Sequence, residues 1–231
     1  GIIVGVVTLT GVGFRLGFVV IQTAGDISNF FSNIWPISFF SFEDLRLFFS
    51  LVLIAISCII MGAGIPTTAT YIILVAVAAP ALAQLGIEPL VAHFFVFYYG
   101  VLADITPPVA LAAYAASGIA KSNPFKTGNT AFRLGIAKAL VPFVFVYSPS
   151  LLLITGEFQT NQLIITLVGT LIGIALIGIA FSGYWFRPLS KYEQILIGIG
   201  SLFFVTPGTG SMIIGLIIIL PMLFLQFFKK N

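Results

Sequence analysis

The stretch Met61-Gly62-Ala63-Gly64-Ile65-Pro66-Thr67-Thr68 separates two apolar runs, residues 47–61 and the run that reaches Leu85, and its reading decides the fold. The first run rises about 22 Å as a helix, at 1.5 Å per residue, short of a hydrocarbon core about 30 Å thick. Gly62, Gly64 and Pro66 then stop it. A helix that enters the membrane, halts and returns is a re-entrant hairpin, tolerated only where protein or a water-filled cavity covers its bare backbone. Pro66 suits the first helical position of the return limb. The first free N–H groups of that limb, near Thr67 and Thr68, then point at the tip.

Composition supports lipid as the solvent. Of 231 residues, 59% are hydrophobic and only 7% charged, and the mean hydropathy is +1.16. Soluble domains carry about 25% charged residues, so this chain cannot cover a water-facing surface. Runs 163–181 and 212–228 are each long enough to span a bilayer. A single cysteine, Cys58, excludes a disulfide framework and a cysteine metal site. A scattered net charge of +3 excludes a nucleic-acid footprint. The chain opens at Gly1 directly into apolar residues, with no charged segment before them. That is not a signal peptide; it reads as a piece of a longer membrane protein.

A second break lies at Ile105-Thr106-Pro107-Pro108, inside an apolar unit over 89–120. Thr106 is a suitable N-cap and Pro107 a suitable first helical residue. Two prolines would remove the hydrogen bonds that the Ala103 and Asp104 carbonyls otherwise accept, and Pro66 would do the same to Gly62. Carbonyl ends attract cations and amide ends attract anions. An isolated proline in a span is most simply a kink. A glycine–proline–threonine tip followed by a Thr-Pro-Pro break is instead the pattern of secondary-transporter sites.

Charge orients the pieces. With Lys121, Lys126, Arg133 and Lys138 on the cytoplasmic side, a crossing over 141–154 puts Glu157 outside. The run 163–181 returns Arg187 and Lys191 inside, and a hairpin of 195–205 and 212–228, turning at Thr206-Pro207-Gly208-Thr209-Gly210, brings Lys229 and Lys230 inside as well. Backwards, Glu88 falls outside, the re-entrant hairpin opens outside near Glu43 and Asp44, and a first helix over 2–24, with Gly5, Gly11, Gly13 and Gly17 for close contact, ends outside near Asp26. Only Arg46 and Glu193 stand on the unexpected side. The fold expected is an all-α integral membrane protein of about five spans plus the hairpin.

The stretch from Met61 to Tyr71 resembles the second hairpin of the large membrane subunit of tripartite ATP-independent periplasmic (TRAP) transporters. So do Ala92-His93-Phe94-Phe95-Val96-Phe97-Tyr98-Tyr99, whose Ala-His-Phe-Phe and Phe-Tyr pattern looks most like the fused permeases, and Ile105-Thr106-Pro107-Pro108-Val109-Ala110. Thr8-Leu9-Thr10-Gly11-Val12-Gly13 extends the likeness toward the start. The resemblance covers residues 1–153, as the C-terminal portion of the transport region with a hairpin over 47–87 and a broken helix over 89–120; residues 154–231 fit a C-terminal transmembrane extension.

The resemblance implies an elevator-type, Na+-coupled or occasionally H+-coupled importer of organic anions such as carboxylates, in the bacterial inner membrane. It implies a periplasmic substrate-binding protein, further permease helices and a small membrane subunit as partners, with the lipid bilayer and no nucleic acid. The substrate is then expected at Gly64, Pro66, Thr67, Thr68, Thr106, Pro107 and Pro108. Because Na+ is a hard cation that prefers oxygen, it is expected at the Gly62, Ala103 and Asp104 carbonyls, with a hydroxyl from Thr67, Thr68 or Thr106 completing the cage. No other cofactor is expected.

Other residues carry weaker signals. Asp104, the one acid within a span, could bind Na+, carry a proton or stay hydrated at the break. His93 suits packing or an interface role more than a proton relay. Cys58 reads as buried filler and Arg15 as a snorkelling side chain. Trp35, Tyr184, Trp185 and Tyr192 read as interface anchors. An intramembrane protease would need a second membrane aspartate, or a serine in Gly-x-Ser-Gly with a histidine; Asp104 has no intramembrane partner and Ser117-Gly118 follows Ala115-Ala116, so no catalytic residue is expected. A non-transporting scaffold would have no use for two facing backbone breaks.

Overall fold

A computed structural model describes residues 2–34, 41–153, 160–206 and 208–228, and every regular element among them is a helix. The expectations at Trp35, Glu157, Pro207, Lys229 and Lys230 fall outside the described residues. The chain forms two compact units, Gly1–Gly128 and Asn129–Asn231.

In the first unit, α1 (Ile2–Thr10) and α2 (Val12–Ile34) replace the single helix expected over 2–24. Gly11 adopts φ +64, a left-handed conformation that interrupts the ladder. The hairpin follows as α3 (Phe42–Gly62) and α4 (Thr67–Gln84). Ser41 and Asp44 cap each other's backbone amides in a capping box, and Glu43 and Asp44 lie at the positive end of the helix dipole. The acidic patch therefore belongs to the helix. At 21 residues α3 rises about 31 Å, which corrects the short first limb: its length suits a full crossing. Gly86, at φ +76, ends α4 by donating to Ala83 O while Ile87 donates to Leu82 O.

Next come α5 (Pro89–Ala103), α6 (Leu111–Ala120) and α7 (Pro124–Gly135), the last running across the boundary of the two units. Asn123 caps α7 by accepting from Lys126 N at 3.1 Å, ahead of Pro124. Helix α2 lies on α3 and α4, and α5 packs on both hairpin limbs. A Cβ on Gly13 would stand 2.7 Å from Ala76 O, and one on Gly17 2.9 Å from Ala81 Cα, so not even a methyl fits between α2 and α4. Leu51, Ile54, Leu74, Leu82 and Phe95 fill the interior.

The second unit holds a 3-10 turn (Ile136–Leu140), α8 (Val141–Tyr147), another 3-10 turn (Pro149–Leu152), α9 (Thr160–Ser182), α10 (Lys191–Val205) and α11 (Thr209–Phe228). The crossing expected over 141–154 is corrected. Helix α8 stops at Tyr147, because the residue before Pro149 is driven out of helical geometry: Ser148 has φ −141 and ψ 73. The stretch with the length of a span is Pro124–Tyr147, of 24 residues. Helix α10 packs on α9 and α11 around Leu176, Ile197, Phe204 and Ile219.

At the start of α10, Glu193 gathers four bonds. Its Oε1 accepts from Arg187 Nη2 at 2.6 Å and Gln226 Nε2 at 3.1 Å, its Oε2 accepts from Ser190 N at 2.7 Å, and its own N–H donates to Ser190 Oγ at 3.3 Å. Burial pushes the carboxyl up, but the Ser190 and Gln226 hydrogen bonds and the Arg187 charge outweigh it and hold it below the ordinary carboxylate range.

Among the described residues, five helical stretches are long and apolar enough to cross a membrane, two of them the hairpin limbs. Apolar side chains such as Ile60 and Ile217 stand 69% and 65% exposed. Outward apolar surface on this scale has lipid as its partner. The protein is an all-α, multi-pass membrane protein.

Candidate functional site

Gly62 is the buried last residue of α3. A Cβ there would lie 3.0 Å from Thr70 Cγ2 and 3.1 Å from Ala103 Cβ, so the hairpin tip closes directly on the end of α5. Gly64 serves differently. It is exposed, its φ is +82, and a Cβ would touch Val109 Cγ1 at 3.5 Å. Its requirement is conformational, that of Gly62 is room. Between them these glycines bring the tip against both sides of the 104–110 break.

Pro66 is the N-cap of α4 rather than its first helical residue, and it offers no side-chain cap. Its carbonyl accepts from Thr70 N at 2.9 Å. The amides of Thr67, Thr68 and Ala69 find no acceptor among the described residues. They are the open positive end of an 18-residue helix. Thr67 is half-buried and Thr68 exposed. Among the described residues, no hydrogen bond joins either to the 104–110 segment. The buried threonine of the tip is Thr70, 1% exposed, whose Oγ1 donates to Ile65 O at 3.0 Å.

The facing break differs from expectation in its wiring. Thr106 does not cap a helix starting at Pro107; α6 starts at Leu111, and its N-cap is Ala110 at φ 36, ψ 49. A non-glycine residue in that left-handed region costs about 1–2 kcal/mol, and it persists because the surroundings impose it. The Thr106 hydroxyl donates back to Leu102 O at 2.7 Å. The Ala103 and Asp104 carbonyls, expected to be left without partners, are taken. Thr106 N donates to Ala103 O at 3.1 Å and Ala112 N to Asp104 O at 3.1 Å. Gly62 O likewise accepts from Ile65 N at 3.4 Å. The chain tightens just before each proline, so that Ile65 N and Thr106 N replace the amides lost to Gly62 O and Ala103 O, and only Asp104 O takes a later amide, from Ala112. The Pro107–Pro108 peptide is cis.

Tyr114, one turn into α6, holds the break from outside by donating to Pro108 O at 2.7 Å. Its ring lies against Gly128, where a Cβ would stand 2.8 Å from Cε1. Tyr114 is marked by no sequence motif, and Ala110 only closes the Thr-Pro-Pro stretch, with no sign of its left-handed backbone. A helix start without a polar capping residue, after two prolines, was the available sign.

Asp104 is half-buried, and its carboxylate has no hydrogen-bond or ionic partner among the described residues. His93 stands away from the break; its Nδ1 lies 2.7 Å from the Tyr71 hydroxyl. Among the described residues no three His, Cys, Asp or Glu side chains converge. What the site offers a cation is backbone, hydroxyl and a single carboxylate oxygen set, which suits a hard ion.

The arrangement thus sets an amide end beside a turn rich in carbonyls, at the close approach of two interrupted elements. Residues 1–160 match the family described as tripartite ATP-independent periplasmic transporter, DctM component. No curated protein and no solved structure matches the chain.

Proposed function

The chain belongs to the DctM-component family of tripartite ATP-independent periplasmic transporters, and from that premise we propose that it imports organic carboxylates on a Na+ gradient. It is a component of a secondary transporter, and its family is not one of enzymes. We place it in the bacterial inner membrane with Lys121 and Lys126 on the cytoplasmic face. Residues 1–153 serve as part of an elevator-type transport region and residues 154–231 as an extension. A periplasmic substrate-binding protein, a small membrane subunit and further permease helices complete the machine.

The observation that carries this reading is the closure of the tip on the break, Gly62 on Ala103, beside the uncapped start of α4. A carboxylate meets the Thr67, Thr68 and Ala69 amides, the usual anion position of a helix N-terminus, with Gly64 and Pro66 shaping the tip and Thr106, Pro107 and Pro108 the opposite wall. The Na+ site draws on the Gly62, Ala103 and Asp104 carbonyls and a hydroxyl of Thr67, Thr68 or Thr106. Each carbonyl accepts one hydrogen bond and keeps a second lone pair for the ion. Proton coupling is the second reading, favoured by the unpartnered Asp104 carboxylate.

Uptake of labelled succinate, 2-oxoglutarate and glutamate by proteoliposomes holding the whole transporter tests this, with the binding protein outside. Uptake is expected to need the binding protein and an inward Na+ gradient, and to survive collapse of the pH gradient. Uptake driven by pH alone moves the coupling to Asp104. Replacing Pro107 and Pro108 by alanine is expected to raise the Na+ concentration for half-maximal uptake; an unchanged value removes these carbonyls from the ion site.

A further inference from the structure

One contact near the tip has no part in that reading. The Tyr71 hydroxyl in α4 lies 2.7 Å from His93 Nδ1 in α5, with Phe97 edge-on to the tyrosine ring at 5.8 Å. Both Tyr71 and His93 are half-buried. We propose that Tyr71 and His93 form a latch that sets the rotation of the first turn of α4, and so aims the Thr67, Thr68 and Ala69 amides at a carboxylate.

A helix pinned at one point along its length still rolls about its axis. Thr70 supplies one pin: its methyl would meet a Cβ on Gly62 at 3.0 Å and on Gly100 at 3.2 Å. Tyr71 is the next residue, turned by about 100° around the axis, and reaches α5 on a different line. Two pins on different lines remove the roll. The three amides precede Thr70 directly, so any roll of this turn swings them with it. In a site of low dielectric, an anion held by fixed dipoles is sensitive to their direction. The latch uses the tautomer with the imidazole proton on Nε2, in which the tyrosine O–H donates to Nδ1. Tyr71 and His93 are positioning residues; neither touches the anion.

This proposal rests on the carboxylate reading of the tip, and the test separates the two. In the same proteoliposomes, Tyr71→Phe and His93→Gln are expected to raise the half-saturating succinate concentration about fivefold, the worth of one net hydrogen bond. The maximal rate and the Na+ dependence should hold. His93→Asn, whose Oδ1 falls where Nδ1 was, should restore the parent value. Loss of maximal rate at unchanged half-saturation would reduce the pair to a folding contact and overturn the proposal. So would His93→Asn behaving like His93→Gln. If His93→Asn abolishes uptake while Tyr71→Phe is silent, the ring moves a proton and the latch is wrong. For variants that turn over slowly, maleimide labelling of Ala69→Cys, and its protection by succinate, reads the tip without transport. Should succinate, 2-oxoglutarate and glutamate all fail to protect that position with Tyr71 and His93 intact, the carboxylate reading falls and takes the latch with it. Protection at the same concentration with and without Tyr71→Phe overturns the latch alone.

Discussion

Two turns of this chain are built from glycine, proline and threonine, one at 62–67 and one at 206–210, and they come to opposite ends. In the first, Gly62 is buried against Thr70 and Ala103, and the amides that follow Pro66 stay open. In the second, Thr206, Gly208, Thr209 and Gly210 are all exposed. The Thr206 and Gly208 carbonyls are taken locally, with the Ser211 hydroxyl shared between them at 2.7 Å and 2.8 Å. Similar composition marks a helix break in both. What packs against the break decides whether it is a candidate site or merely a bend.

The same side chain placed in both turns should have opposite effects. Gly64→Val forces a β-branched residue to φ +82 and is expected to abolish succinate uptake with membrane expression intact. Gly210→Val, where a Cβ meets nothing within 4 Å, should leave uptake within about twofold, as for other surface changes. Normal uptake by the Gly64 variant would remove the tip from the site.

The second region should depend on its fastener rather than its turn. Glu193→Gln is expected to cost about 1.5–3 kcal/mol, the range for hydrogen bonds to a charged group, read as a lower melting temperature of the purified protein. Folding holds this carboxyl below its ordinary value of 4.5. The charged form therefore carries the stability, complete above that value and lost as pH falls through the folded one. Melting curves of parent and variant should converge in acid. Parallel curves at every pH would mean that the charge contributes nothing.

A smaller effect is expected at Tyr114. Tyr114→Phe removes the bond to Pro108 O and should cost about 1 kcal/mol, with faster maleimide labelling of Val109→Cys beside the tip. Thr206→Val, which also deletes one hydroxyl bond, to Leu202 O at 2.9 Å, should leave that labelling rate unchanged. Equal rates in both variants would mean that the break does not depend on its tyrosine.

The helices and the tip were readable because glycine and proline act locally, through φ and through a missing N–H. Partners were not readable. Glu43 and Asp44 signal only where the hairpin opens, and the Ser41–Asp44 capping box that makes them part of α3 shows in the fold alone, so the first limb looks too short in sequence. The Thr-Pro-Pro motif correctly marks an interruption, but only the fold reveals that Ala112 N turns back to Asp104 O. Thr70 was passed over for Thr67 and Thr68, since burial on the face shared with Leu74 and Val77 depends on where α5 lies. The two charges that defied the sorting both have answers in three dimensions. Arg46 lies 3.4 Å from Glu43, and Glu193 is tied to Arg187.

Glu193 also sets a timetable for biosynthesis. Ser190 and Arg187 leave the ribosome just before it, but Gln226, its remaining partner, follows 33 residues later. At about 5–20 residues per second, that is a delay of about 2–7 seconds. Throughout it the Glu193 carboxylate keeps an open hydrogen-bonding position, and α10 waits without α11. Helix α11 therefore arrives at a prepared socket, and a stop codon between residues 194 and 225 would leave that socket empty in every copy made.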